Sequence, residues 1–383
     1  MRVAIDARSA AGPEKTGVGH YTWQLLRHLP RVDPAWTYVA WYLHVRGALG
    51  LSSERRLFRS LAAPNLVEAR MPFPTRWFEP LSMRFDVPRV EWLVRFDVLF
   101  APNFVPPPTR ARHLVVTVHD LAFERFPDSS PLATRRWRAR LRATLARASR
   151  VIAVSEHTRR DLLELTPLPP DRVTVVPLGV DTEVFRPIPQ QDVEAVRDRF
   201  GIEAPYVLSL SGIERRKNLP RIVRAYAALP DGVRPGLVIA GPATVEGRSL
   251  LRRLVGEVPA SIREGIVVTG YVGDAERVAL LNGAEALVYP SRYEGFGLPV
   301  LEAMACGTPV VTSDVSALPE TAGEAALLVD PERDDAIVDG MERILTDRSL
   351  RERLRAAGTA RAAAFPWERT ARETADALRL AIE

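Results

Sequence analysis

The sequence predicts an α/β protein of two doubly wound, parallel-sheet domains, and three observations carry that expectation. Ten short runs of β-branched and other apolar residues alternate with helical stretches along the chain. The runs are apolar throughout instead of alternating with polar residues, the pattern of strands buried on both faces of a parallel sheet. At 383 residues the chain is also longer than a single ordinary hydrophobic core supports.

In order, the first half supplies RVAIDA (2–7), TYVAWYL (37–43), HLVVTVHD (113–120), RVIAVS (150–155) and RVTVVPLG (172–179). The second supplies YVLSLSG (206–212), GLVIAG (236–241), GIVVTGY (265–271), EALVYPS (285–291) and PVVTSD (309–314). Between them VPLGVDTEVFRPIPQQ (176–191) is rich in proline and polar residues and reads as a hinge. The expected domains are therefore 1–180 and 181–365, followed by a last helix, 366–383. In such folds ligands bind in the crevice at the carboxyl ends of the strands.

Composition removes several function classes. The single cysteine, Cys306, cannot form an intramolecular disulfide, and no Cys/His cluster has zinc-site spacing, so a reducing, cytoplasmic location is expected. Asp6 and Arg8 interrupt the first apolar run, and nowhere do 18 apolar residues run together, so neither a signal peptide nor a membrane span is expected. The net charge of +5 is spread along the chain without an interleaved aromatic motif, so nucleic acid is not an expected partner. Of the 52 basic residues only Lys15 and Lys217 are lysines. Where lysine survives such a bias, a compact, rotatable ammonium is called for in place of a planar fork.

Four segments carry chemistry. In SRYEGFGLPVLEAMACGTPVV (291–311) a strand runs into a glycine-rich loop, Pro299 suits the start of a helix, and Gly307 stops it. The loop glycines admit a close ligand and the helix start favours an anion such as a diphosphate. Glu294 on the loop and Glu302, expected in the first helical turn, are acceptors for vicinal hydroxyls; alternatively Glu302 balances the helix dipole and Glu294 is solvated. In YVLSLSGIERRKNLPRIVRAYAAL (206–229), Arg215, Arg216 and Lys217 stand where a phosphate would bind, and Asn218 is expected to cap the next helix. A solvated basic helix start is the other reading.

After the first strand, Gly17 and Gly19 open a helix, but Thr22 occupies the third glycine position of a dinucleotide fingerprint, so a nicotinamide enzyme is not expected. His119 and Asp120 end a strand at the ligand edge, where the imidazole could donate to a sugar hydroxyl or carry a proton, with Asp120 orienting it or pairing with Arg125. A purely structural histidine is the alternative.

Together these segments resemble the family 4 glycosyltransferases, whose GT-B fold is two Rossmann-like domains facing each other across an interdomain cleft. The two glutamates in PSRYEGFGLPVLEAMACGTPVV are the most specific element, and SGIERRKNL, VIAVSEHTRRDL and VVPLGVDTEVFRP match in order and spacing. The resemblance implies a retaining, metal-independent transferase whose donor is a nucleotide-sugar, with no cofactor. It puts Glu294 on hydroxyls of the donor sugar and Glu302 on the ribose, and lays Gly295, Phe296, Gly297 and Leu298 along the sugar and diphosphate. Arg216 and Lys217 would neutralise the departing diphosphate, beside Gly212 of the same basic loop. His119 would touch the donor sugar, Gly17 and Gly19 would form the glycine loop at the acceptor and phosphate side, and the backbone near Val272 would meet the nucleobase. Ile213 departs from the arginine that many members carry after this glycine, which moves the phosphate role onto Arg216. No carboxylate nucleophile is evident, which favours same-face attack. The GIERRKNL form looks most like bacterial mannosyl- and rhamnosyltransferases of surface polysaccharides, making GDP-mannose the leading donor. The last helix would cross back to the first domain.

The expected acceptor is a glycan or a lipid-linked glycan. In LATRRWRARLRATLARASRVI (132–152), Trp137, Leu141, Leu145 and Ala148 form a stripe among arginines. That pattern fits a helix packed on its sheet and equally a helix lying on an anionic membrane surface, with the protein peripheral at the inner face. A GT-B phosphorylase or epimerase and a non-catalytic nucleotide-sugar-binding protein are the competing functions.

Overall fold

The computed structural model describes residues 1–12, 17–43, 61, 63–71, 73, 75–127 and 131–383. The chain divides into two compact units, Met1–Gly179 with Trp367–Glu383, and Val180–Pro366. Lys15 lies outside the described residues.

Among the described residues the first unit is built on seven parallel strands: β1 (Arg2–Asp6), β2 (Thr37–Leu43), β3 (Leu66–Met71), β4 (Val98–Ala101), β5 (His113–Val118), β6 (Arg150–Ala153) and β7 (Val173–Val175). Their order is β3-β2-β1-β4-β5-β6-β7. In register, Ala4 of the central β1 sits between Val39 and Leu99. Residues from β1, β2, β4, β5 and β6 share a core with Leu141 and Leu145 of helix Pro131–Arg147 and with Ala148 just beyond its end. The apolar stripe of that arginine-rich helix is thus consumed by packing, and Trp137 meets Phe104 edge-on at 5.7 Å. Of the two readings of this segment, the helix packed on its sheet is the one the unit contains. Helix Gly17–Val32 packs on helix Trp367–Arg379, so the chain terminus completes this unit.

The second unit carries six parallel strands: β8 (Tyr206–Leu210), β9 (Gly236–Ala240), β10 (Ile266–Gly270), β11 (Ala286–Tyr289), β12 (Val310–Ser313) and β13 (Leu327–Val329), in the order β10-β9-β8-β11-β12-β13. β8 and β11 are buried throughout, which is why they read as unbroken apolar runs. Much of the 176–191 stretch is built into the units instead of hanging free. Phe185 is buried and the Ile188 N–H donates to the Asn282 side chain within the second unit, while the Pro177 carbonyl accepts from Thr370 within the first.

Each sheet changes winding direction beside its first strand, between β1 and β4 in one unit and between β8 and β11 in the other. Such a switch point opens a crevice at the carboxyl ends of the strands. The basic loop after β8 and the glutamate loop after β11 therefore emerge side by side, although 77 positions separate Lys217 from Glu294.

Candidate active site

Hydrogen bonds join the two loops at this edge. The Arg292 N–H donates to the Arg216 carbonyl at 2.8 Å. Asn218, buried and left-handed at φ 63°, precedes helix Leu219–Ala228 but does not cap it with its side chain. Its amide donates instead to the Pro290 carbonyl at 3.0 Å and the Pro331 carbonyl at 2.7 Å, pinning the segments that follow β8, β11 and β13. The expected cap is thus a cross-loop tie, because a residue in αL geometry aims its side chain away from the helix start.

Glu294 is the centre of the cluster. Its Oε1 accepts from the Lys217 ammonium at 2.6 Å and from the Tyr289 hydroxyl at 2.9 Å, and its Oε2 accepts from the Arg216 guanidinium at 2.9 Å. Lys217 also donates to the Tyr289 oxygen at 2.7 Å. Glu294 is only 6% exposed, which excludes the solvated reading. Burial alone would raise its pKa, but Lys217 and Arg216 outweigh that and hold the carboxyl at about 2. Burial pulls the Lys217 ammonium below its ordinary value, an effect that Glu294 opposes. Arg216 further spans to the Tyr293 carbonyl at 3.1 Å and to Glu214 at 2.9 Å. The result is an ionised carboxylate bracketed by two cations at a strand edge, able to accept from hydroxyls on one side and to offer positive charge to an anion on the other. Tyr289 escaped sequence reasoning; its one signal is a hydroxyl at the end of an otherwise apolar strand.

Glu302 differs. Helix Leu298–Ala305 places it fifth, beyond the first turn, so the dipole-balancing reading fails. It is 4% exposed, and its Oε2 has no hydrogen-bond partner, with the Arg277 guanidinium 3.5 Å away. Burial raises its pKa above the ordinary value, against the opposing pull of Arg277. Arg277, which no motif marked, belongs to helix Asp274–Gly283 and lies over the Phe185 ring at 4.8 Å. Val272 is buried in the turn between β10 and that helix. A raised folded-state pKa means that ionising Glu302 opposes folding. The cost is absent below the ordinary value of 4.5 and fully present above the folded-state value. Glu302→Gln is therefore expected to raise the melting midpoint at pH 7 and to leave it unchanged near pH 4. A lower midpoint at pH 7 in calorimetry would mean that the ion pair with Arg277 outweighs burial.

Gly297 caps the same helix at φ +101°, a backbone conformation that L side chains rarely adopt, and a Cβ there would also press on the Leu318 side chain at 2.6 Å, so the conformation demands glycine. Leu298 is the first helical residue. Phe296 is buried edge-on to Phe365 at 5.9 Å, so its ring serves packing, with the flanking Gly295 in the same buried loop. Gly212 follows β8, and a Cβ there would make only ordinary contacts.

His119, Gly17 and Gly19 belong to the first unit. Both glycines fall in the opening turn of helix Gly17–Val32. From that helix Tyr21 meets His119 edge-on at 4.8 Å. The His119 Nε2 lies 2.9 Å from the Pro102 carbonyl, which can only accept, so Nε2 carries the proton. Burial lowers the pKa of this imidazole, opposed by the Pro102 bond. In the neutral ring Nδ1 is then an acceptor, not the donor expected from sequence. Nor does Asp120 pair with Arg125: Asp120 accepts from the Ala122 N–H at 3.0 Å, and Arg125 binds Asp161 and Glu164 instead. Arg215 enters none of the bonds described around Glu294.

Among the described residues no group of three or more His, Cys, Asp and Glu side chains is placed to hold a metal ion, and no helix is long and apolar enough to cross a membrane.

Comparison with known proteins matches residues 15–184 to the family described as Glycosyltransferase Family 4 and residues 192–361 to Glycosyl transferases group 1. The chain is 34% identical over 299 residues to the O-antigen chain mannosyltransferase B of Escherichia coli, covering 76% of this chain and 77% of that one. The chain belongs to glycosyltransferase family 4. It is a hexosyltransferase with the GT-B fold of two Rossmann-like units. The glycosyltransferase is also 33% identical over 233 residues to the serotype-specific mannosyltransferase WbdA of Escherichia coli, although it spans only 28% of that longer protein. In structure it resembles Anabaena HepE in complex with UDP and glucose, with a TM-score of 0.73 over 99% of both chains and 17% identity, a likeness of fold alone.

Proposed function

We propose that this glycosyltransferase moves mannose from GDP-mannose to a glycan or lipid-linked glycan in surface-polysaccharide synthesis, with retention at the anomeric carbon and without a metal ion. The observation that carries the reading is the buried carboxylate Glu294 held between Lys217 and Arg216 at the β8–β11 switch point. The names of the relatives support the sugar, since two of them are mannosyltransferases.

In this reading Glu294 accepts hydroxyls of the donor sugar, and the unpartnered Oε2 of Glu302 accepts from the ribose. Lys217 and Arg216 meet the diphosphate and stabilise the charge that grows on it as the glycosidic bond breaks, the role a divalent cation fills elsewhere. The acceptor hydroxyl attacks on the face the nucleotide leaves, and a departing phosphate oxygen takes its proton.

Melting midpoints measured with GDP, UDP, ADP and dTDP, with and without Mg²⁺, test the donor half. GDP at about 100 times its dissociation constant is expected to stabilise by roughly 2.7 kcal/mol, with no requirement for Mg²⁺, and the shift should vanish in Glu302→Gln. A shift from another nucleotide would replace the donor, and a strict need for Mg²⁺ would overturn the metal-free step.

A further inference from the structure

Within the first unit a cavity of about 590 Å³ lies between helix Thr75–Phe85, helix Pro131–Arg147 and the proline-rich loop after β4. Its volume is that of a small-molecule site. Arg8, which follows β1, and Val105, which follows β4, both line it, and the Arg8 guanidinium donates to the Val105 carbonyl at 3.3 Å. The cavity therefore begins at the switch point of this sheet, the counterpart of the edge that carries Glu294 in the other unit.

Its lining is strongly cationic. Arg8, Arg136, Arg140 and Arg147 all contribute. Among the described residues the one lining carboxylate, Asp86, is itself 3.5 Å from Arg89 and 3.8 Å from Arg110. Arg8 is held against Asp6, and Arg147 donates to the Thr109 carbonyl. Arg136 is exposed, and Arg140 sits 5.5 Å from the Trp137 ring centre. Planar guanidinium forks match phosphate oxygens two at a time, which makes phosphate the anion this lining suits.

Beside the cavity runs an apolar row. Phe78 and Ser82 of helix Thr75–Phe85 face the cavity, and the next row of that helix is Trp77, Leu81 and Phe85, spaced at one helical turn. Trp77 and Phe85 are 55% and 56% exposed, unusual for rings of this size beside a charged site. A ligand that is anionic at one end and apolar at the other would satisfy both surfaces.

We propose that the arginine-lined cavity binds the phosphate of an amphipathic acceptor, a lipid phosphate or diphosphate ester, with its hydrocarbon over the Trp77–Leu81–Phe85 row. This rests on the transferase reading above and names the acceptor class for it. Calorimetric titration of the full chain at low salt with methyl phosphate and with monomeric decyl phosphate tests the idea. Decyl phosphate should bind at least tenfold more tightly than methyl phosphate. The double variant Arg136→Gln/Arg140→Gln should weaken both at least tenfold, and Trp77→Ala should remove only the decyl advantage. Lys217→Gln should change neither, which separates this site from the phosphate ligands of the second unit.

No binding of either probe, binding indifferent to the arginine pair, or binding lost in Lys217→Gln would overturn the site. Equal affinity for the two probes would overturn the lipid assignment. Should nucleotides stabilise the protein while neither phosphate binds, the acceptor assignment falls and the donor reading stands.

Discussion

Replacing Glu294 by alanine is expected to abolish transfer and to destabilise the protein measured without ligand by about 3–5 kcal/mol, the usual cost of removing one partner from a buried ion pair. The cause is what remains. Lys217 and Arg216, with side chains 11% and 17% exposed, would lose the carboxylate that both of them contact. In a unit of this size that is a fall in melting midpoint on the order of 10 °C or more. The sign with pH follows from the same group. Its carboxyl titrates at about 2 instead of the ordinary 4.5, so its stabilisation is present above pH 4.5 and lost as pH falls towards 2. The variant and the parent should therefore converge in acid.

A nucleoside diphosphate would resupply the missing negative charge, so the ligand-induced rise in midpoint should be larger in Glu294→Ala than in the parent. A variant within 2 °C of the parent without ligand would show the network to be energetically idle. An unchanged ligand-induced rise would separate the two cations from the diphosphate. Neither result is expected from a glutamate whose only role is to touch the sugar.

The sequence exposed the fold through burial and hid what burial does not mark. All ten expected strands form; runs such as YVLSL are covered on both faces, which makes their apolar character continuous. Three strands escaped. β3 carries Glu68 and Arg70 at the sheet edge and is only partly buried, β13 is a three-residue edge strand, and β4 compresses four buried residues, VLFA, behind Asp97. Short or edge strands leave too few apolar positions for a pattern.

The same distinction governs the site. Glu294, Lys217 and Arg216 could be nominated from residue type and loop context, but their pairing comes from the adjacency of β8 and β11, where Leu208 lies opposite Leu287. The register of a parallel sheet is invisible in a linear sequence. Arg277 and Tyr289 had no motif to announce them, since an arginine on an amphipathic helix and a tyrosine in a strand are ordinary residues until the fold brings a carboxylate beside each.

Lys217→Ala is expected to lower kcat/KM by about 10²–10³-fold, the 2.7–4 kcal/mol typical of removing one preorganised charge stabiliser from a transition state. Stability should fall less than in Glu294→Ala. The carboxylate keeps Arg216 at 2.9 Å and the Tyr289 hydroxyl at 2.9 Å, so no charge is left buried without a partner. The large kinetic loss with a small loss of stability distinguishes catalysis from scaffolding, and a rate within tenfold of the parent would reject the role.

Lys217→Arg carries the sharper information. The ammonium sits 2.6 Å from Glu294 and 2.7 Å from the Tyr289 oxygen, with the tyrosine ring centre 5.1 Å away. A planar guanidinium cannot occupy that corner without displacing one of the three, whereas a compact, rotatable point charge can turn from the carboxylate towards a phosphate. In a chain with 50 arginines among its 52 basic residues, the persistence of lysine here then has a steric cause. Arg at 217 should recover less than a tenth of the parent rate, measured as nucleotide release from the donor. Full recovery would mean that positive charge alone suffices, and that the lysine owes its place to something other than the geometry around Glu294.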